Sequence, residues 1–91
     1  MLPKISNYGH YESGNYGAHT LKVDLGNMNI YYSYETIVAY SDVQDGLVCS
    51  QNAWTVTTGK HLNWIQADKK SRLPFDQFKV MLEEALKRHI Q

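Results

Sequence analysis

The segment Thr57-Thr58-Gly59-Lys60-His61 gathers two hydroxyls, an ammonium and an imidazole in one short run. If a helical turn opens there, its free backbone N–H groups and these side chains could converge on an anion such as phosphate or carboxylate, because a helix N-terminus carries partial positive charge. Thr57 or Thr58 also fits the ordinary role of an N-cap, with Lys60 in solvent and His61 bonded locally. The same residues thus support a binding site and a plain helix start. A second kind of chemistry is stacking. Tyr31 and Tyr34 lie in a β-like run, and sheets that bind single-stranded nucleic acid present aromatic rings beside basic side chains. Along the chain, Tyr31 is flanked by Asn29, Ser33 and Glu35, so its platform lacks the electrostatic half. The candidate ligand- or partner-binding residues are therefore Thr57, Thr58, Lys60, His61, Tyr31 and Tyr34.

No Ser-His-Asp signature, metalloprotease helix motif, phosphate loop or dinucleotide fingerprint occurs in the sequence, which points away from an enzyme. His10, His19, His61 and His89 are far apart, with no pair at helical spacing, so neither a metal nor a cofactor is expected. Cys49 is the lone cysteine, which excludes an internal disulfide and suits a reduced compartment.

The elements that must position these residues follow from periodicity and turn chemistry. Residues 1–17 carry Gly9, Gly14, Gly17 and Tyr8, Tyr11, Tyr16 with little aliphatic period, which reads as a loop with aromatic anchors. From Ala18 the period becomes two: Leu21, Val23 and Leu25 share one side of a strand. Gly26-Asn27 is a two-residue hairpin loop of the Gly-first kind, leading into Met28, Ile30, Tyr32 and Tyr34 on the return strand. Thr36 to Tyr40 reads as a third β-run or a bent continuation of the second. Asp42-Val43-Gln44-Asp45-Gly46 makes a polar turn into Leu47-Val48-Cys49-Ser50, and Ala53 to Val56 suits a short edge strand. Residues 57–66 suit a capped helical turn, and Asp68 to Arg72 a charged connector. Pro74 and Asp76 then open a helix over 74–90, whose apolar stripe runs through Phe75, Phe78, Leu82, Ala85, Leu86 and His89 or Ile90. Lys79/Glu83, Glu83/Lys87 and Glu84/Arg88 pair along its exposed side.

The expected fold is α+β: a small antiparallel sheet of about four or five strands, a short helical turn near 58–65, and one C-terminal helix on one face. The 91 residues suffice for a single domain, 1–91. Nine basic residues balance nine acidic ones, so a strong nucleic-acid footprint is absent and only a local patch could grip a phosphate backbone. No stretch has the apolar length of a transmembrane helix and the N-terminus has no signal-peptide core, so no membrane association is expected. A chain this short buries limited surface, which leaves room for a homo-oligomer.

Two stretches, Asn15-Tyr16-Gly17-Ala18-His19 with Tyr31 to Tyr40 (YYSYETIVAY), and Trp54 with Thr57-Thr58-Gly59-Lys60-His61-Leu62-Asn63, resemble a family of very small proteins encoded mainly by bacteriophages, archaeal viruses and mobile elements. The resemblance runs from about Tyr8 to the start of the terminal helix. It implies a genomic setting, and with it the cytoplasm of an infected host cell, without a mechanism. Small phage proteins without catalytic residues commonly act by occupying a target. The expectation is a non-enzymatic binding protein that inhibits a host or defence protein by stoichiometric contact, in the manner of an anti-defence or anti-CRISPR inhibitor. Two alternatives stand beside it: an oligomeric sponge for an anionic nucleotide held by Thr57, Thr58, Lys60 and His61, and a nucleic-acid-binding accessory protein using the tyrosine face.

Overall fold

The structure, a computed structural model, describes residues 3–8, 20–54, 56–66 and 68–90. The readings placed on Tyr11, Tyr16, His10, His19 and the three early glycines fall outside the described residues. Strands β1 (Lys4–Asn7), β2 (Leu21–Asp24), β3 (Met28–Ser33), β4 (Thr36–Asp42) and β5 (Gly46–Cys49) pair antiparallel in chain order. Helix α1 (Val56–Ile65), a 3₁₀ turn (Lys69–Ser71) and helix α2 (Phe75–Ile90) follow. The fold is α+β.

Each tight turn has its own chemistry. Between β2 and β3, Gly26 takes φ 91 while the Leu25 N–H donates to the Met28 carbonyl at 2.9 Å. Positive φ costs glycine nothing, and this is the place a Gly-first hairpin needs it. Gly46 does the same at φ 70 on entering β5. Between β3 and β4 no glycine is present, yet the chain reverses within Tyr34-Glu35, with Tyr34 itself at φ 56. Thr36 to Asp42 is therefore a separate strand and not a bent continuation of β3.

Alternation sorts the sheet into two faces. The cross-strand row Ile5, Val23, Ile30, Tyr40 and Val48 lies on the α2 side, where Met28, Ile30, Tyr40 and Val48 close a core with Phe78 and Ala85. On the other side Val38, Ala39 and Cys49 pack against Leu62, with Tyr31, Trp54 and Ile65 around them. A β-bulge makes that second core possible. Tyr31 opposes Ala39 and Tyr32 opposes Ile37, so Val38 is an extra residue, and two consecutive side chains, Val38 and Ala39, are both fully buried on the α1 side.

Two sequence expectations are corrected. Lys4–Asn7 is a strand within the stretch read as loop; pairing with Leu21–Asp24 supplies an order that its own short, weakly periodic sequence did not signal. Ala53 to Val56 is not an edge strand. The Asn52 side chain accepts from the Trp54 N–H at 2.9 Å, a local turn that competes with a ladder, and Val56 begins α1. The helical element expected near 58–65 is present as a ten-residue helix, and it covers the second face, so helices lie on both sides of the sheet. Within the charged connector, Arg72 is only 6% exposed. Its guanidinium donates to the Gln66 carbonyl at 2.7 Å and to the Asn63 side chain at 2.8 Å, closing the C-terminal end of α1 where cations are favoured.

Candidate functional site

The candidate residues divide by what α1 does to them. Because the helix begins at Val56, Thr57 and Thr58 lie inside its first turn, so neither is the N-cap residue the sequence suggested. The side chain of Thr57 lies outside the described residues. Thr58 is 5% exposed and turns inward. Its hydroxyl is 3.1 Å from Ser33 Oγ, and the same Ser33 oxygen is 2.6 Å from Nδ1 of His61. Ser33, at the end of β3, is thus the hub of a buried cluster that joins the sheet to α1. A hydroxyl has one proton to give. Either Ser33 donates to a neutral His61 Nδ1 and accepts from Thr58, or it accepts from an Nδ1–H of His61, in which case the bond to Thr58 can run in either direction.

The Ser33–His61 distance is that of a nucleophile and its base. Access is what separates this pair from an active site: Ser33 is 2% exposed, His61 is fully buried, and the Tyr34 ring lies over the imidazole with centroids 5.5 Å apart. The pair can hold a proton but cannot present it to a substrate in this conformation. Sequence reading missed Ser33 altogether, since its only signal was a small polar residue at the end of an aromatic strand.

Lys60 is exposed, whereas Thr58 and His61 point into the protein, so the three do not converge on one anion. What remains outward on and beside α1 is aromatic and basic. Tyr34 is 42% exposed and Trp64 is 45% exposed. Trp64 stands one helical turn beyond His61, with Lys60 and Asn63 exposed on the same helix.

Tyr31 belongs to the same side of the sheet. Its cross-strand neighbour is Lys22, whose ammonium stands 5.7 Å from the ring centroid, and Tyr8 packs edge-on against it at 5.7 Å. The basic partner that Tyr31 lacks along the chain therefore comes from β2, a contact along-strand reading cannot see.

A second polar cluster ties down the far end of the molecule. The Asp42 carboxylate, its side chain inaccessible, accepts from the Asp45 N–H at 2.6 Å, from Arg88 at 2.6 Å and from Nε2 of His89 at 2.9 Å. Burial alone raises a carboxyl pKa, but the Asp45 N–H, His89 and Arg88 together outweigh it and hold Asp42 below the usual aspartate range. Tyr40 donates to Asp45 at 2.7 Å, and burial together with that carboxylate pushes its hydroxyl above the ordinary tyrosine value. His89, read as part of an apolar stripe, is in fact a ligand of this carboxylate. Cys49 is buried, which pushes its thiol up to about 11 despite the opposing charge of Arg72. Among the described residues no three His, Cys, Asp or Glu side chains group as metal ligands, and no helix is long and apolar enough to cross a membrane.

Fold and site together define a small α+β domain: among the described residues, an antiparallel sheet held between two helices, with a polar cluster sealed beneath α1 and aromatic side chains left outside it. The chain belongs to a family described as one of unknown function, DUF8033, whose sequence profile matches residues 4–79. That span takes in Ser33, Tyr34, Thr58, Lys60 and His61, and stops before Arg88 and His89. No curated protein and no solved structure matches significantly.

Proposed function

We propose that this is a non-enzymatic binding protein, of the phage-encoded kind the sequence resembles, which inhibits a host or defence protein by stoichiometric contact in the cytoplasm of the infected cell. The contact surface is the outer side of α1 with the β3–β4 turn: Tyr34, Lys60 and Trp64. The observation that carries this reading is Tyr34. A non-glycine residue in the left-handed region costs about 1–2 kcal/mol, and glycine would make the same turn without that cost. The turn does not need tyrosine; a half-exposed ring held against His61 does. Aromatic side chains fixed in this way are the usual anchors of protein interfaces.

The nucleotide-sponge alternative loses ground, because Ser33 engages both Thr58 and His61 and Lys60 points elsewhere. The nucleic-acid alternative gains one point, the Lys22 ammonium over Tyr31. A comparative affinity capture tests the leading reading. Immobilised protein should retain one host protein in stoichiometric amount, and Tyr34→Gly and Trp64→Ala variants with unchanged melting should lose it. Calorimetric titration with cyclic and linear nucleotides should show no heat. Tight nucleotide binding, or salt-dependent oligonucleotide binding abolished by Lys22→Ala, would replace this reading with the corresponding alternative.

A further inference from the structure

The two edges of the sheet are finished differently. At β5 the chain returns to close its own edge: the Leu73 N–H donates to the Cys49 carbonyl at 2.8 Å, and the Gln51 N–H to the Leu73 carbonyl at 2.7 Å, making a parallel bridge between Ser50 and Leu73. At β1 no described residue does the same. Which backbone groups β1 leaves outward follows from its register. The Tyr8 N–H donates to the Thr20 carbonyl at 3.0 Å, so the mutually bonded pairs with β2 continue at every second position, Ser6 with Lys22 and Lys4 with Asp24. The N–H and C=O of Ile5 and Asn7 then face away from β2.

Ile5 is also the outer end of the apolar row that passes through Val23, Ile30, Tyr40 and Val48. That row is buried where α2 covers it and half-buried at Val23; at Ile5 it is 68% exposed. Among the described residues, Ile5 thus has a backbone donor and acceptor that no neighbour pairs, together with the apolar side chain most exposed on that face, which is the combination that invites edge pairing.

We propose that β1 pairs antiparallel with β1 of a second copy of this chain, about a two-fold axis through Ile5. In that register each Ile5 exchanges both backbone hydrogen bonds with its counterpart, and the Asn7 N–H reaches the carbonyl of Pro3 across the axis. Pro3 has no N–H to leave unpaired there. The two Ile5 side chains meet on the α2 side and join the two apolar rows into one. Lys4 falls opposite Ser6 of the other copy, so no like charges face each other. The strand is self-complementary, which is what an isologous contact requires and what favours a second copy over a foreign peptide. The two five-stranded sheets become one continuous sheet. This inference stands apart from the α1 surface, which lies on the other face.

The test uses the full chain in sedimentation-velocity runs from low micromolar to several hundred micromolar. The parent should pass from monomer to dimer, and Ile5→Glu should weaken that association at least tenfold while leaving the melting of the monomer unchanged. Ile5→Pro removes only an outward donor, so it should act similarly, whereas Ser6→Pro should damage folding because its N–H lies on the β2 side. Register is read by crosslinking. Under mild oxidation Ile5→Cys should form an intermolecular disulfide, since mutually bonded residues sit about 5.5 Å apart at Cα. Lys4→Cys should not, since its copies are roughly 8 Å apart in this register. A parent that stays monomeric throughout, a dimer indifferent to Ile5→Glu, or a monomer that binds an extended peptide at this edge instead overturns the proposal.

Discussion

The two faces of the sheet are built from similar strands and solve different problems. Under α2 the contacts are almost wholly apolar, with Met28, Ile30, Tyr40 and Val48 meeting Phe78 and Ala85. Under α1 the apolar set is smaller, Val38, Ala39, Cys49 and Leu62, and beside it the polar cluster of Ser33, Thr58 and His61 is sealed from solvent. Apolar packing tolerates small shifts of one element over another, whereas hydrogen bonds fix position as well as contribute free energy. The α2 face therefore supplies most of the stability. The α1 face sets the helix in one place and with it the outward side chains Tyr34, Lys60 and Trp64.

The comparison is broken most directly at Phe78, 1% exposed and packed against Tyr40 with ring centroids 6.1 Å apart. Phe78→Ala should cost about 3–5 kcal/mol, which is a large share of the stability of a domain this small. Denaturant unfolding reads the loss directly, and a variant that unfolds with its parent would mean the α2 face is not the main core.

The polar latch at the end of α2 gives the next effect. Asp42→Asn removes the charge that Arg88 and His89 bond, at a cost of about 1.5–3 kcal/mol near neutral pH. The sign of its pH dependence follows from the lowered pKa of Asp42. A carboxyl whose folded pKa lies below the unfolded value of about 3.9 contributes stability above that pH and loses it as pH falls through the folded value. Melting curves of parent and variant should accordingly lie apart at pH 6 and converge toward pH 2.5. A gap independent of pH would show that the charge is not what matters.

At Ser33 the α1 face is tested in turn. Ser33→Ala deletes the hydroxyl that both Thr58 and His61 bond, and should cost about 1–3 kcal/mol although almost no apolar volume is lost. Hydrogen exchange should locate the loosening in α1 and leave α2 protected. Equal loss of protection in both helices would mean that the two faces are a single cooperative structure with no division of labour.

How far these faces could be read in advance depended on whether the signal was local. The terminal helix was legible because Phe78, Leu82 and Ala85 repeat at helical spacing, and the Gly26 turn because glycine in the first loop position has a single conformational use. The second face was not legible, because it rests on long-range facts. Ser33 meets His61 across 28 positions of sequence, Lys22 meets Tyr31 only through strand register, and the bulge at Val38 leaves no compositional mark. The placement of the candidate residues was not legible either: the sequence left Thr58 and His61 open as outward anion ligands or as a cap with a locally bonded imidazole, and both turn inward to Ser33. Tyr34, read as the last residue of an alternating strand, became the turn.

That turn sets up the smallest and most telling effect. Tyr34→Gly removes a ring contact with His61, worth about 0.5–1.5 kcal/mol for an aromatic pair, and at the same time relieves about 1–2 kcal/mol of left-handed strain. The two terms nearly cancel, so stability should change by less than about 1 kcal/mol. Tyr34→Ala keeps the left-handed backbone at φ 56 and loses the ring, so it should be the less stable of the two variants. Function should not follow stability here. If the outward ring is the anchor, both variants lose partner capture to the same extent, although one of them melts almost where the parent does. If Tyr34→Gly instead keeps full binding, then the strained turn serves only to cover His61, and the anchor on this face has to be sought at Trp64 and Lys60.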